Sequence, residues 1–160
     1  MIMKSIFAFC LLFVFTTALA QSTEISAKYD KIGKFDRMGF ATVTQKGQVG
    51  VINKEGKEII KPEYDHISGF GKDGLAFTRK KALVGIIDNT GKVVVENKYD
   101  YISHFKGNHA VVRKNNLCGV IDRNGKVVVD MKYEKLVVEG NGVIKAINPD
   151  KTEVLIKPNS

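Results

Sequence analysis

One segment of about 35 residues is written four times along this chain, and that repetition limits the folds open to it more than any single residue does. The strip GVINKEGKEIIKPEYD, which begins at Gly50, returns as GIIDNTGKVVVENKYD from Gly85 and GVIDRNGKVVVDMKYE from Gly119. Tyr29, Tyr64, Tyr99 and Tyr133 mark the period, at spacings of 35, 35 and 34 residues. A unit this short cannot bury its apolar side alone, so the copies must stack on their neighbours. The chain therefore reads as a tandem array, with repeats over about 29–63, 64–98 and 99–132 and a degenerate cap at 133–156.

Each unit holds three short runs rich in β-branched residues, which fit a pleated surface better than a helix. The first run is Phe40 to Thr44, Leu75 to Thr78, His109 to Val112 and Val143 to Ile147. The second covers Val49 to Ile52, Val84 to Ile87, Cys118 to Ile121 and Val154 to Ile156; the third covers Glu58 to Ile60, Val93 to Val95 and Val127 to Val129, with Ile25 as a remnant of the same strand. Asn53-Lys-Glu-Gly, Asp88-Asn-Thr-Gly and Asp122-Arg-Asn-Gly between the second and third runs predict a type I turn closed by a left-handed glycine at Gly56, Gly91 and Gly125. Gly50, Gly85 and Gly119 fall inside a strand, where glycine makes room for a close neighbour, and a stacked ring is the expected occupant. Every Tyr has an acidic neighbour (Asp30, Asp65, Asp100, Glu134) and, in three copies, a Phe six positions on (Phe35, Phe70, Phe105), so ring ladders are expected to form the core. In the fourth copy Glu139 takes the Phe position, Glu153 is aligned with the strand Gly, and no third strand follows Ile156, which reads as a polar cap. The expectation is an all-β fold of three-stranded repeats stacked as an open, curved array, with a small closed propeller-like ring as the alternative.

The N-terminal residues 1–20 carry Lys4, an apolar run from Ile6 to Phe15, and Ala18 and Ala20 around Leu19, which predicts a cleaved secretory signal peptide. The run is shorter than the roughly 20 residues that a membrane span needs, and Cys10 lacks the small residue and longer lead of a lipidation site. Without this leader there remain 24 basic and 17 acidic residues, a net +7, and one cysteine, Cys118, in the slot held by Val49 and Val84. That position predicts a small buried hydrophobe. A single domain over 21–160, periplasmic or extracellular, with no membrane span, follows from these readings.

Taken together, Gly50-Val-Ile-Asn, Gly85-Ile-Ile-Asp and Gly119-Val-Ile-Asp, the Gly-Lys pairs at Gly56, Gly91 and Gly125, the four tyrosines and Gly74-Leu-Ala resemble the WG-repeat family over nearly all of residues 25–156. Val49, Val84 and Cys118 stand where that family carries its name-giving Trp. The resemblance implies a bacterial, β-rich module common in exported proteins, with no catalytic residues to carry over.

The residues themselves agree with a non-enzymatic reading. Ser103 is next to His104, but adjacent residues of an extended chain point apart, and neither it nor Ser68 has a nucleophile's local signature. His66, His104 and His109 occupy different repeat slots, and the only thiol is Cys118, so neither a metal site nor a cofactor is expected. Asp30, Asp65, Asp100 and Glu134 read as turn caps rather than a cation ladder. The basic residues give the clearest partner hint: Lys46, Arg79, Lys80, Lys81, Arg113 and Lys114 lie in the loops joining first and second strands, and Lys57, Lys92 and Lys126 follow the hairpin glycines. In register they predict a cationic stripe, able to attract an anionic glycan or other anionic polymer, lipid head groups or an acidic partner, or simply a solvated face that protects strand edges. Nucleic acid is not expected, because the aromatics recur at core spacing and not among the basic residues. The functional expectation is an exported interaction module that binds a protein in the bacterial envelope, with anionic glycan or polymer binding as the alternative.

Overall fold

The structure is a computed structural model that describes Ile25, residues 27–139 and residues 142–157; the expected leader over 1–20 and the C-terminal residues 158–160 lie outside them. The chain divides into two compact units, residues 1–64 and 65–160. Among the described residues, fifteen strands account for nearly all the regular structure, in four antiparallel meanders, none closed into a barrel. The first unit holds sheet A: β1 (Lys31–Ile32), β2 (Phe40–Gln45), β3 (Gln48–Asn53) and β4 (Glu58–Tyr64). The second unit holds three sheets. Sheet B is β5 (His66–Ile67), β6 (Leu75–Lys80), β7 (Leu83–Asp88) and β8 (Val93–Tyr99); sheet C is β9 (Tyr101–Ile102), β10 (His109–Lys114), β11 (Leu117–Asp122) and β12 (Val127–Tyr133); sheet D is β13 (Lys135–Val138), β14 (Ile144–Ile147) and β15 (Glu153–Ile156).

Sheets A to C therefore have one strand more than the three-stranded unit expected from sequence. The addition is a two-residue strand just after the Tyr-Asp step, too short for any periodicity to reveal. Ile25 also departs from expectation: it lies in a helical turn, not a strand, and its side chain packs on the first unit's core of Tyr29, Ala41, Val43 and Ile52.

In the second unit the core lies between successive sheets. Ile86, Val95 and Tyr99 of sheet B meet Ile102, Ala110, Val112 and Ile121 of sheet C. Cys118, Val120, Val129 and Tyr133 of sheet C meet Leu136, Val138, Ile144 and Ala146 of sheet D. Each fully buried Val, Ile or Leu in these layers contributes about 1.5–3 kcal/mol relative to its exposed state, so the stacking holds the unit together. The tyrosines belong to this core, whereas the expected Phe ladder does not continue through the chain: Phe35 is 44% exposed.

The second hairpins follow the sequence closely. Gly56, Gly91 and Gly125 have φ of 74°, 90° and 80°, and each turn closes with a glycine N–H donating to the carbonyl three residues back, at 2.9–3.0 Å.

The strand glycines do not face rings. In sheet A the pairing steps from Val49 opposite Tyr64 to Val51 opposite Ile60, so residues 61–63 of β4 bulge across Gly50. A Cβ on Gly50 would lie 2.5 Å from the Ile60 carbonyl oxygen; on Gly85 it would lie 2.6 Å from that of Val95, and on Gly119 2.7 Å from that of Val129. What needs the space is the neighbouring backbone. In sheet B this bulge is pinned by Asn97, whose Nδ2 donates to the carbonyls of Thr78 (3.1 Å) and Leu83 (3.0 Å).

Register also corrects the alignment of the fourth copy. Val43 pairs with Gly50 in sheet A, and the matching pair in sheet D is Ala146 with Val154; Val154, not Glu153, stands in the glycine slot. Nor is this terminal sheet a polar cap, since Val137 and Val154 are each 40% exposed and Leu155 is 68% exposed.

Candidate binding surface

A meander sends successive hairpins to opposite ends of its sheet, and this decides where the basic residues lie. The β2–β3, β6–β7 and β10–β11 turns fall at one end of their sheets. The β3–β4, β7–β8 and β11–β12 turns fall at the other end, a six-residue strand or about 20 Å away. Lys46, Arg79, Lys80, Lys81, Arg113 and Lys114 thus share the first end, while Lys57, Lys92 and Lys126 share the second. The nine cations do not form the single stripe expected from sequence. Within the second unit, one cluster remains: Arg79, Lys80 and Lys81 on sheet B and Arg113 and Lys114 on sheet C.

The first-end turns have left-handed φ at both central residues: 51° and 79° at Lys46 and Gly47, 52° and 66° at Lys81 and Ala82, 51° and 64° at Asn115 and Asn116. This is the type I′ geometry of tight hairpins. Each is tied down by the Asp that follows a tyrosine. Asp30 Oδ2 accepts the Lys46 N–H at 2.6 Å, Asp65 Oδ2 that of Lys81 at 2.7 Å, and Asp100 Oδ2 that of Asn115 at 2.8 Å. The carboxylates cap turns as expected, although the turn is the hairpin about 16 residues downstream and not their own. In the fourth copy Glu134 instead accepts the Lys151 ammonium at 2.6 Å. At the second end, the N–H groups of Lys57, Lys92 and Lys126 donate to the side-chain oxygens of Asn53, Asp88 and Asp122, and their ammonium groups are left in solvent.

Along the short inner strands of the second unit run two clefts. The one between sheets B and C, about 190 Å³, is floored by Leu75, Ala76 and Ile86 and walled by Phe77, His104 and Phe105. The one between sheets C and D, about 300 Å³, is bounded by Tyr101, His104, Val111 and Val137. His104 borders both. Its ring meets Phe77 edge to face, with centroids 5.2 Å apart and planes at 87°, a favourable geometry for aromatic pairs. Tyr101 is 48% exposed and lies under the Arg113 guanidinium at 5.6 Å.

One rim of the first cleft is held by Arg123. It donates to Asp73 Oδ2 (2.9 Å) and to the Gly107 carbonyl (3.1 Å), and lies 4.9 Å from the centre of the Phe105 ring. The Arg123 hydrogen bond holds the Asp73 carboxyl below its ordinary range.

The hydroxyls near the clefts are committed to backbone. Ser68 Oγ accepts the Phe77 N–H and donates to the Gly69 carbonyl; Ser103 Oγ accepts the Val111 N–H and donates to the His104 carbonyl. Cys118 is buried, its thiol pushed up by desolvation, and it donates weakly to the Glu134 carbonyl at 3.6 Å. Among the described residues, no three His, Cys, Asp or Glu side chains gather where they could hold a metal ion, and no helix is long and apolar enough to cross a membrane.

The WG-containing-repeat model matches residues 50–82, 85–118 and 119–145, more than half of the chain. This chain belongs to the WG-repeat family. No curated protein matches it in sequence. Among solved structures it is similar to a fragment of HIRA (14% identity, TM-score 0.39, 74% of this chain and 46% of that one). It is also similar to the computationally designed Ika4 protein (15%, 0.38, 80% and 89%) and to the tricorn protease (14%, 0.40, 80% and 16%). The HIRA and tricorn alignments thus span less than half of those chains.

In WG-repeat terms, the Trp slot faces the repeat tyrosine across the sheet: Val49 pairs with Tyr64, Val84 with Tyr99 and Cys118 with Tyr133. Cys118 shares the core layer with Tyr133, and Val84 packs against the layer that holds Tyr99. The clefts were not foreseen from sequence. The available signal was departure from the repeat: Tyr101 takes a position held elsewhere by Lys31, His66 and Lys135, and His104 one held by Gly69.

Proposed function

We propose that this WG-repeat chain is a non-catalytic binding module, exported to the bacterial envelope, that holds a protein partner against the inner-strand clefts of its second unit. The observation that carries the reading is the pair of adjoining clefts that share His104, apolar within and rimmed by Phe77, Phe105 and Tyr101. Their size favours a protein. Pockets that enclose a small molecule occupy about 300–1,000 Å³; hollows of about 190 and 300 Å³, one below that range and one at its lower limit, suit one or two side chains each, as anchors of a larger interface do.

The test is capture of envelope proteins on the immobilised protein, comparing the unmodified chain with His104→Ala and Tyr101→Ala. A partner retained at high salt by the unmodified chain and lost on both variants is the expected result. A partner retained equally by all three would refute the assignment to this face.

A second reading, binding of an anionic glycan or polymer, is favoured by one observation: Arg79, Lys80, Lys81, Arg113 and Lys114 gather at one end of sheets B and C, while Asp65 and Asp100 there are committed to turn N–H groups. It requires affinity that falls steeply with salt, as screening shortens the reach of exposed charges. Replacing these five residues with Gln should abolish such binding; retention of the polymer by that variant would exclude the reading.

A further inference from the structure

Sheet D ends in β15, and the phase of its backbone shows which groups face outward. The Asn148 N–H donates to the Thr152 carbonyl at 2.9 Å, and pairing with β14 then runs one to one from Glu153 opposite Ile147 to Ile156 opposite Ile144. Alternation along an antiparallel pair turns the backbone of residues 152, 154 and 156 toward β14 and that of Glu153, Leu155 and Lys157 outward. The same phase holds in sheet A, where Val49 and Val51, the counterparts of Glu153 and Leu155, pair with β4.

In sheets A to C this edge is covered by a bulged strand that crosses a glycine. At Val154 the side chain occupies the space that the bulge needs, where a Cβ in the other sheets would meet backbone at 2.5–2.7 Å. A bulged strand of the repeat type is thereby rejected, whereas a flat strand is not. Exposed edges are commonly guarded by charge, proline or a bulge; here Glu153 and Lys157 put charge at the two ends, while the middle is apolar, with Leu155 at 68% exposure.

We propose that β15 pairs with β15 of a second copy of this chain, antiparallel about a two-fold axis at Leu155. β15 is itself flat, with no register shift against β14. Centred on Leu155, the pairing uses all the outward backbone groups: Leu155 bonds to Leu155 of the other copy, and Glu153 lies opposite Lys157 twice. Opposite charges facing across strands stabilise an antiparallel pair, and like charges destabilise it. Val154 of each copy comes beside Ile156 of the other and extends the apolar layer of both sheets.

The test is sedimentation equilibrium of the purified protein and three variants, Glu153→Lys, Lys157→Glu and the double reversal. Each single reversal sets two like-charged pairs in the dimer and is expected to lower the association constant about tenfold, while the double reversal restores it. A monomeric wild-type protein, or a dimer indifferent to the single reversals, overturns the proposal, as does a double variant no better than the singles. Hydrogen exchange of the unmodified chain gives a second reading that needs no variant to fold. The Leu155 and Lys157 amides should gain protection as protein concentration rises, and concentration-independent exchange at both would count against the pairing.

Discussion

Tyr29 and Tyr99 occupy the same place in the first and third repeats, and both are buried, at 6% and 1% exposure, but their hydroxyls differ. Tyr29 donates to Glu58 Oε2 at 2.9 Å. The Tyr99 hydroxyl has no partner among the described residues, because the position equivalent to Glu58 is Val127: Glu58 pairs with Ile52, and Val127 with its counterpart Ile121. An unsatisfied buried hydroxyl costs about 1–3 kcal/mol. The void left by removing one oxygen costs only a few tenths at about 24 cal/mol per Å³. Tyr99→Phe should therefore stabilise the protein by about 1–2 kcal/mol, raising Tm by roughly 2–8 °C for a chain of this length. Tyr29→Phe should destabilise it by about 1 kcal/mol. The pH dependence gives an independent reading. Burial raises the Tyr99 pKa above its ordinary 10.0, so wild-type stability is intact below that value. It should fall as pH rises from there through the folded-state pKa, because the unfolded chain ionises first; Tyr99→Phe removes this part of the alkaline loss. Urea unfolding of both variants at neutral and alkaline pH supplies all four numbers. A loss of stability in Tyr99→Phe equal to that in Tyr29→Phe would refute the reasoning.

Other substitutions probe the repeat devices one at a time. Ala82 holds φ of 66°, where a side chain costs about 1–2 kcal/mol; Ala82→Gly should recover about 1 kcal/mol of this, net of glycine's backbone entropy, measured by thermal unfolding. Gly85→Ala forces a methyl to within 2.6 Å of the Val95 carbonyl oxygen and 3.0 Å of Asn97 Cγ, so a loss of about 2–3 kcal/mol is expected in the same assay. Asp65→Ala removes the acceptor of the Lys81 N–H and should cost about 1 kcal/mol, with faster amide exchange confined to the β6–β7 turn. Buried, with its pKa raised, Cys118 should react with a thiol reagent at neutral pH only as fast as the protein opens, so its rate should follow denaturant-induced unfolding.

Where a residue's role was local, sequence disclosed it. Asn53, Asp88 and Asp122 with their glycines specify a turn within five residues, and that turn is present in each copy. Where the role depended on a distant segment, it did not. Gly50, Gly85 and Gly119 were legible as places of close approach, but only the register of the following strand shows that backbone, not a ring, does the approaching. Asp65 was legible as a cap, yet its partner lies 16 residues on. The cationic residues share a chemical type and a repeat period, which suggests one stripe; the alternation of hairpin ends is a property of the sheet and divides them. Tyr101 and His104 carry no motif at all, and become a surface only when sheets B, C and D stack.

The central claim, that this WG-repeat chain binds a partner through the clefts around His104, is tested most directly by mapping backbone amide shifts as a captured envelope protein is titrated in. The account requires the largest shifts at Ser68, Phe77, Tyr101, His104, Val111 and Val137, with small changes at Arg79 to Lys81 and at Arg113 and Lys114. Shifts concentrated at those basic turns, with the cleft residues unmoved, would contradict it.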